Sequence, residues 1–179
     1  MVRPQGTNCI GVRSDGTARA SSPLPVTDAG IFHSENGGRT WRHDLKGIPR
    51  EWINSCYWMV FDPQVKGRAW SAWSAMHDIP RLKMFRAEFF TRDRGGICKS
   101  EDGLRSWAPS ATGLPDHALC THLVLDPSSL VDSRTIYAAV FNHGVSRSTD
   151  DGRTWTLKNK GVDRRNPFTW RLALQGDGT

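Results

Sequence analysis

The chain has 179 residues and a formal net charge of +6, with 24 Lys and Arg against 18 Asp and Glu. Its basic residues are spread along the sequence and form no run of five, which argues against a nucleic-acid surface because such surfaces cluster Lys and Arg. No apolar run reaches the roughly 18 residues of a membrane-spanning helix, and no signal-peptide pattern is present. The four Cys lack close pairs, so the sequence predicts no disulfide framework, metal site or cofactor.

The first part of the chain predicts fragments of an antiparallel sheet. Residues 1–29 are rich in Gly, Ser, Thr and Pro, and contain one short apolar strand at 9–12 followed by a loop. Residues 30–53 hold the end of a sheet, with a third strand at 30–35 and an outer strand at 41–45. The pattern indicates a partial unit followed by the end of a sheet.

Two longer units follow, at 54–117 and 118–167, and each opens with a strand closed by Asp-Pro. The strands predicted in them are 54–61, 68–75 and 96–99, then 119–125, 134–141 and 144–147. All are short and none shows a sustained helical period. Residues 168–179 begin with another strand, 168–174, and predict the start of a further unit that is truncated.

The two Asp-Pro pairs set the units in register. Cys56 then matches Cys120, and Trp58 matches His122. Continuing this register places Arg171 at the same position as Trp58 and His122. Because Cys56 and Cys120 occupy equivalent positions in the two units, we expect each to be a small buried side chain and not part of a disulfide bridge.

An eight-residue motif occurs three times, at 34–41 (box 1), 100–107 (box 2) and 148–155 (box 3). Its defining residues are Ser34, Asn36, Gly38 and Trp41; Ser100, Asp102 and Trp107; and Ser148, Asp150, Gly152 and Trp155. A short Asp or Asn side chain bonds to the backbone two residues on, Gly supplies a positive φ, and the Trp begins the next strand. Each box predicts a hairpin turn with an aromatic anchor. In box 2, Leu104 replaces Gly, so Gly103 is expected to supply the positive φ.

The motif Ser-x-Asp-x-Gly-x-Thr-Trp resembles the Asp-box, or BNR, repeat of sialidase-like, sortilin-like and xyloglucanase-like β-propellers and of a photosystem assembly factor. The resemblance implies an all-β propeller fragment with two complete four-stranded blades, 54–117 and 118–167, and partial blades at 1–29, 30–53 and 168–179. It also implies that a longer parent chain supplies the remaining blades. The sequence itself leaves the compartment open, and the resemblance favours an extracellular or periplasmic one.

Blade topology separates the boxes from the predicted ligand site. In an antiparallel four-stranded blade, the turns after strands one and three share one rim, and the turn after strand two shares the other with the links between blades. The first complete blade is longer than the second, and the excess falls at 76–95, after strand two. Long loops in compact domains are usually functional or disordered. In the families that the chain resembles, this second rim carries the ligand site.

Aromatic, acidic and basic residues gather on that rim. The predicted ligand-binding residues are Trp52, His77, Asp78, Arg81, Glu88, His117, His143 and Arg164. A sugar ring can stack on Trp while carboxylates bind its hydroxyls, and two carboxylates at a suitable separation can hydrolyse a glycosidic bond. Asp78 and Glu51 are the catalytic candidates. In the structural alternative, Asp78 caps a turn, Glu51 is solvated and Trp52 packs over a blade junction.

Three functions fit these residues. The first is a non-catalytic segment that binds a glycan or protein ligand, and the second is part of a glycoside hydrolase to which the chain contributes rim carboxylates. The third is a scaffold for a protein partner. The sialidase pattern is not met, because Tyr57 and Tyr137 lie inside predicted strands and Asp78-Ile79-Pro80-Arg81 differs from the Arg-Ile-Pro order.

Overall fold

A computed structural model describes residues 9–12, 23–27, 30–34, 39–53, 55–75, 94–163 and 165–175. Within these residues, the regular structure consists of three antiparallel sheets of four strands each, with a 3-10 helix in the first link. The predicted all-β class and its four-stranded antiparallel sheets are confirmed. No helix in the described part of the chain is long and apolar enough to span a membrane.

Each sheet is a meander in which consecutive strands pair. The first sheet contains β1 (Cys9–Val12), β2 (Pro23–Thr27), β3 (Gly30–His33) and β4 (Arg42–His43), and is followed by the 3-10 helix η1 (Arg50–Trp52). The second contains β5 (Ser55–Phe61), β6 (Ala69–Ser74), β7 (Gly95–Ser100) and β8 (Ala108–Pro109). The third contains β9 (Cys120–Leu125), β10 (Ile136–Val140), β11 (Gly144–Ser148) and β12 (Thr156–Leu157).

The first sheet has all four strands, where the sequence predicted only a partial unit and a loop. The loop prediction missed β2, which pairs with β1 through Pro23 and Pro25 and with β3 through Val26 and Thr27. Proline lowers the expectation of a strand because it cannot donate a ladder hydrogen bond. Pro23 and Pro25 are two residues apart, so their missing donors fall on one edge of β2, and the pairing of β2 with β3 involves only Val26 and Thr27.

β6, an inner strand of the second sheet, contributes side chains to two hydrophobic cores. Trp70 faces the third sheet, where it packs in a cluster with Ile136, while Trp73 faces the first sheet, in a cluster with Ile31. Every residue of β6 is buried. Successive side chains of a strand point to opposite faces, so a strand between two sheets is apolar on both. The three sheets therefore stack face to face.

Boxes 2 and 3 form the same turn. In box 3, the Ser148 hydroxyl donates to Asp150 Oδ1 at 2.7 Å and accepts the Gly152 N–H at 2.9 Å, while Asp150 accepts the N–H of Thr154. Box 2 repeats these bonds with Ser100, Asp102, Leu104 and Ser106. The carboxylate thus reaches the residue four positions on, rather than two as predicted.

Gly103 has the positive φ that the sequence predicts for box 2, and Leu104 has a positive φ as well, which the sequence did not predict. Both residues have positive φ, 76° for Gly103 and 72° for Leu104, and they match Asp151 and Gly152 of box 3, at 65° and 81°. The Leu104 side chain is buried in the cluster between the first and second sheets. At Gly152 an added Cβ would lie 2.8 Å from Trp70 Nε1, so this position of box 3 has no room for the side chain that box 2 carries.

The box tryptophans anchor two sheets but not the first. Trp107 and Trp155 are 4% and 3% exposed, whereas Trp41 is 41% exposed. Trp107 packs in the core between the first and second sheets and Trp155 in the next core, so each ring sits against the preceding sheet. No sheet precedes the first one within the described residues, and Trp41 therefore has no such surface.

The strand predicted at 168–174 is not formed. Its backbone runs along the third sheet, where Thr169 N–H donates to Phe141 O at 3.1 Å and Leu172 N–H donates to His122 Nδ1 at 3.4 Å. Trp170 packs edge-on against Tyr57, with ring centroids 5.6 Å apart. Several of the segment's hydrogen bonds to the third sheet involve side chains, as from the Thr121 hydroxyl to Trp170 O at 2.9 Å, so the regular backbone ladder of a strand is not formed.

Candidate ligand-binding rim

Two hydrogen bonds mark the opposite ends of the second sheet. Gly103 N–H donates to Gly67 O at 3.1 Å and joins box 2 to the turn after β5. At the other end, Ala75 N–H donates to Arg94 O at 2.7 Å and closes the base of the predicted insertion. We name these two ends the box rim and the link rim. Residues 76–93 lie outside the described residues, but the base of their loop lies on the link rim.

Trp52 is positioned by the start of β7. It ends η1, is half-buried, and covers Gly96 so closely that an added Cβ there would lie 2.5 Å from its ring. A Cβ added to the adjacent Gly95 would lie 2.6 Å from Ala118 O. The link after the first sheet and the link after the second therefore meet at Gly95 and Gly96, and Trp52 packs across this junction.

His117 and His143 lie close together on the link rim. Asn142 ties the two segments together, because its Nδ2 donates to His117 O at 2.9 Å and its Oδ1 accepts the Leu119 N–H at 3.2 Å. Asn159 holds the following turn by donating to His143 O at 2.6 Å. Asn142 and Asn159 thereby fix the backbone that carries both imidazoles.

The charge state of His143 follows from its surroundings. Burial lowers the pKa of His143, and the neighbouring His117 lowers it further, while Asp116 acts in the opposite direction. The imidazole is therefore neutral near pH 7 and can both donate and accept a hydrogen bond. This suits recognition of a neutral hydroxyl-bearing ligand.

The predicted acids are only partly described. Glu51 and Asp116 are exposed, on η1 and on the link before β9. The other rim residues predicted from the sequence, His77, Asp78, Arg81, Glu88 and Arg164, lie outside the described residues, as do Asn36 and Gly38 of box 1. The structure thus brings Trp52, His117 and His143 to one rim.

Comparisons with known proteins show the fold. No protein-family model matches the chain. An ancestral GH74 enzyme superposes with a TM-score of 0.63 at 21% identity, covering 92% of this chain and 20% of that one. A GH74 enzyme of Niastella koreensis gives a TM-score of 0.55 at 18% identity, covering 84% of this chain and 22% of that one. The fold is a β-propeller.

One sequence relative is more similar locally. An oligoxyloglucan-reducing end-specific xyloglucanase of Emericella nidulans is 35% identical over 71 residues, which cover 35% of this chain and 8% of the relative. The chain therefore spans less than a quarter of the length of each of these proteins. Its three sheets are propeller blades.

The predicted register brings three equivalent residues together at the inner strands of the propeller. The rings of Trp58 and His122 have centroids 4.2 Å apart, and the Arg171 guanidinium lies 5.0 Å from the Trp58 ring centroid. Burial, and then the charge of Arg171, lower the pKa of His122 to about 4. The inner strands of a propeller surround its central channel, so this cluster connects the blades beside the axis.

Sequence reasoning missed the ionic contacts of the box rim. Arg134 of the third blade donates to both carboxylate oxygens of Asp62 in the second, at 2.8 and 3.0 Å, and both side chains are fully buried. Asp151 of box 3 contacts Lys99 and Arg68 of the second blade, at 2.6 and 3.6 Å. The repeated Asp-Pro pairs and the Arg before each second strand were the available signals.

The described thiols have no metal-binding arrangement. Within the described residues, no group of three or more His, Cys, Asp or Glu side chains could hold a metal ion. Cys56, Cys98 and Cys120 are buried, and burial raises the pKa of Cys98 to about 12. A buried thiol with a raised pKa is chemically inert, which fits the packing role inferred from the repeat register.

Proposed function

We propose that this chain is part of a carbohydrate-binding β-propeller that holds a xyloglucan-type glycan on its link rim. One observation carries the proposal: Trp52, His117 and His143 share the link rim, while boxes 2 and 3 turn at the opposite ends of their blades. The named substrate class of the Emericella nidulans relative supports the choice of glycan. An extracellular location fits this ligand.

The chemistry of the rim supports a neutral, hydroxyl-rich ligand. Aromatic side chains with one apolar face and nearby polar groups are typical of such sites. Trp52 offers an aromatic surface, the neutral imidazole of His143 can donate and accept hydrogen bonds, and the exposed carboxylates of Glu51 and Asp116 can accept hydrogen bonds from sugar hydroxyls.

Binding of xyloglucan oligosaccharides, measured by calorimetry, tests the proposal. We expect His143→Ala and Trp52→Ala each to weaken binding at least about tenfold, while Trp52→Phe, which keeps an aromatic ring over Gly96, retains part of the affinity. Trp41→Ala is the matched control, because Trp41 is an exposed tryptophan of box 1 and not of the link rim. Equal affinity in His143→Ala, Trp52→Ala and Trp41→Ala would contradict the proposed site.

A second candidate is hydrolysis, with this chain contributing acids to a glycoside hydrolase. The names of the GH74 neighbours and of the xyloglucanase relative favour it. Glycosidases commonly use two carboxylates, one of which protonates the leaving oxygen. Glu51 and Asp78 are the proposed acids, and Glu88 and Asp116 the further carboxylates of this rim.

Turnover of xyloglucan by Asp78→Asn and Glu51→Gln variants decides between binding and hydrolysis. If either acid takes part, its variant loses at least about a hundredfold in kcat. Asp132→Asn is the control, since Asp132 is exposed on the turn between β9 and β10, on the box rim. Binding without turnover in the unsubstituted protein leaves the binding function as the correct one.

A further inference from the structure

Residues 168–174, which we name the strap, lie across the third blade without forming a strand. Leu172 N–H donates to His122 Nδ1 at 3.4 Å, and the Thr121 hydroxyl donates to Trp170 O at 2.9 Å. Every residue of the strap is half-buried or exposed. Segments with few buried contacts open locally at a lower free energy than the whole domain, so the strap is a segment that can detach by itself.

The strap covers an apolar cluster of the blades. Phe168 and Trp170 pack against Tyr57, Leu119 and Phe141, which are each at most 4% exposed. The ring centroids of Phe141 and Phe168 lie 5.2 Å apart, and Trp170 meets Tyr57 edge-on. Leu119 precedes β9 and Phe141 follows β10, so the cluster lies at the link-rim end of the third blade. Detachment of the strap would expose it.

His122 connects the strap to the inner strands. Its Nδ1 accepts the Leu172 N–H, and its ring centroid lies 4.2 Å from that of Trp58. The Arg171 guanidinium lies 5.0 Å from the centroid of the same Trp58 ring. An imidazole that accepts a hydrogen bond at Nδ1 carries its proton on Nε2 and is neutral. The attached strap therefore requires an uncharged His122.

The groups around His122 leave one charge to act on it. Trp58 faces it from β5, and Ala139 pairs with it from β10. Cys120, two residues earlier on β9, has a raised pKa because of burial and stays neutral. From the strap, the positive charge of Arg171 acts on His122 and lowers its pKa.

Protonation of His122 opposes both contacts of the strap. A proton on Nδ1 removes the acceptor of the Leu172 N–H and sets two donors against each other. It also brings a second cation next to the Trp58 ring, on which the Arg171 guanidinium already lies, and like charges at this separation repel. Burial first, and then Arg171, lower the pKa of His122 to about 4, which agrees with an attached state that resists protonation.

We propose that the strap is released by acid: protonation of His122 detaches residues 168–174 from the third blade and uncovers Tyr57, Leu119 and Phe141, while the four-stranded sheets stay folded. The device acts on conformation and is independent of glycan binding at the link rim.

Hydrogen–deuterium exchange of the 179-residue chain, followed by mass spectrometry from pH 7 to pH 4, tests the proposal. After correction for the intrinsic pH dependence of exchange, protection of 168–174 should fall at least about tenfold between pH 6.5 and pH 4. The difference between the ordinary pKa of 6.5 and the folded value of about 4 limits the fall to about 300-fold. Residues 136–140 should stay protected, because Ile136 and Val140 are fully buried.

Three variants identify the cause. His122→Asn keeps an acceptor for the Leu172 N–H but does not titrate, so protection of 168–174 should change by less than about twofold over this range. Arg171→Gln removes the charge that opposes protonation of the attached state, so the fall should become smaller but remain. Arg153→Gln, at an exposed arginine of box 3, is the matched control and should behave as the unsubstituted chain.

Two outcomes would overturn the proposal. An equal fall in the unsubstituted chain and in His122→Asn would show that His122 does not hold the strap. Loss of protection in 168–174 and 136–140 at the same pH would show that acid unfolds the whole blade and that the strap does not open by itself. Binding of xyloglucan oligosaccharides is measured separately by calorimetry, so failure of either proposal leaves the other intact.

Discussion

Arg134 of the third blade and Asp62 of the second form a fully buried ion pair across the blade joint, with Nη2 of the arginine 2.8 Å from Oδ1 of the carboxylate. Burial by itself would raise the pKa of Asp62, but hydrogen bonds from Arg134 and from the backbone of Gln64 outweigh it and hold that pKa below its usual value. Both groups remain charged, and the pair joins the two turns.

Removal of one side chain of the Asp62–Arg134 pair should lower the unfolding free energy far more than removal of both. Arg134→Leu removes the arginine that hydrogen-bonds to the buried Asp62 carboxylate and leaves only Arg68, with Nη1 at 3.5 Å, as its counterion, so the loss of unfolding free energy should reach about 3 kcal/mol. The double variant Asp62→Leu with Arg134→Leu should recover part of that loss, because no charge stays uncompensated. Urea unfolding measures both, with exposed Arg153→Leu as the control. A single-variant loss under about 1 kcal/mol would contradict the buried pair.

Stability should fall as the pH is lowered through the range set by His122. The pKa of His122 is about 4 in the folded state, against an ordinary histidine value of 6.5, so the unfolded chain binds the proton first as the pH falls. The folded state is therefore favoured fully above pH 6.5, and this contribution is lost between about pH 6.5 and pH 4. This contribution to the unfolding free energy is on the order of 3 kcal/mol.

The variant His122→Asn isolates this effect. Asn keeps an acceptor for the Leu172 N–H but does not titrate. Its unfolding free energy should depend less on pH between 6.5 and 4, and the remaining slope should come from groups such as His143, whose pKa is also lowered. An equal slope in the two proteins would remove His122 as the cause.

The box tryptophans should differ sharply in their cost of truncation. Trp155 is 3% exposed and donates from Nε1 to Ser110 O at 2.7 Å, so Trp155→Ala should cost about 3 to 5 kcal/mol. Trp41, at the same place in its motif, is 41% exposed, and Trp41→Ala should cost less than about 1 kcal/mol. Chemical denaturation of the two variants compares them directly, and similar losses would refute the assignment of anchors.

At Leu104, the stability gained by burying the side chain opposes the cost of a left-handed backbone conformation. A left-handed conformation costs a non-glycine residue about 1 to 2 kcal/mol, while loss of a buried leucine side chain costs about 2 to 5 kcal/mol. Burial wins, so both Leu104→Ala and Leu104→Gly should destabilise the protein. Leu104→Gly should nevertheless be the more stable of the two by about 1 kcal/mol, because glycine releases the strain at φ 72°. The reverse order, measured by thermal or urea unfolding, would show that strain at this residue is negligible.

Local patterns explain what could be predicted about the candidate site. In a four-stranded meander the turns after the first and third strands, such as 62–68 and 101–107, lie at the same end of the sheet, so the boxes lie on one rim. The turn after the second strand and the links between sheets, which carry Trp52, His117 and His143, then lie on the other rim. The packing of Trp52 on Gly96 and the tie between Asn142 and His117 could not be predicted, because these contacts join segments far apart in sequence.

The sequence by itself determined the box turns and the repeat register, because Ser, Asp and Thr of one box bond to one another over four residues and equivalent strands repeat the same spacing. Only the tertiary structure decided that β2 completes the first blade, that Leu104 is left-handed, that Trp41 is exposed and that Asp62 meets Arg134. Each of these depends on which neighbour covers a side chain or completes a ladder. A short window of sequence does not determine which distant segment that neighbour is.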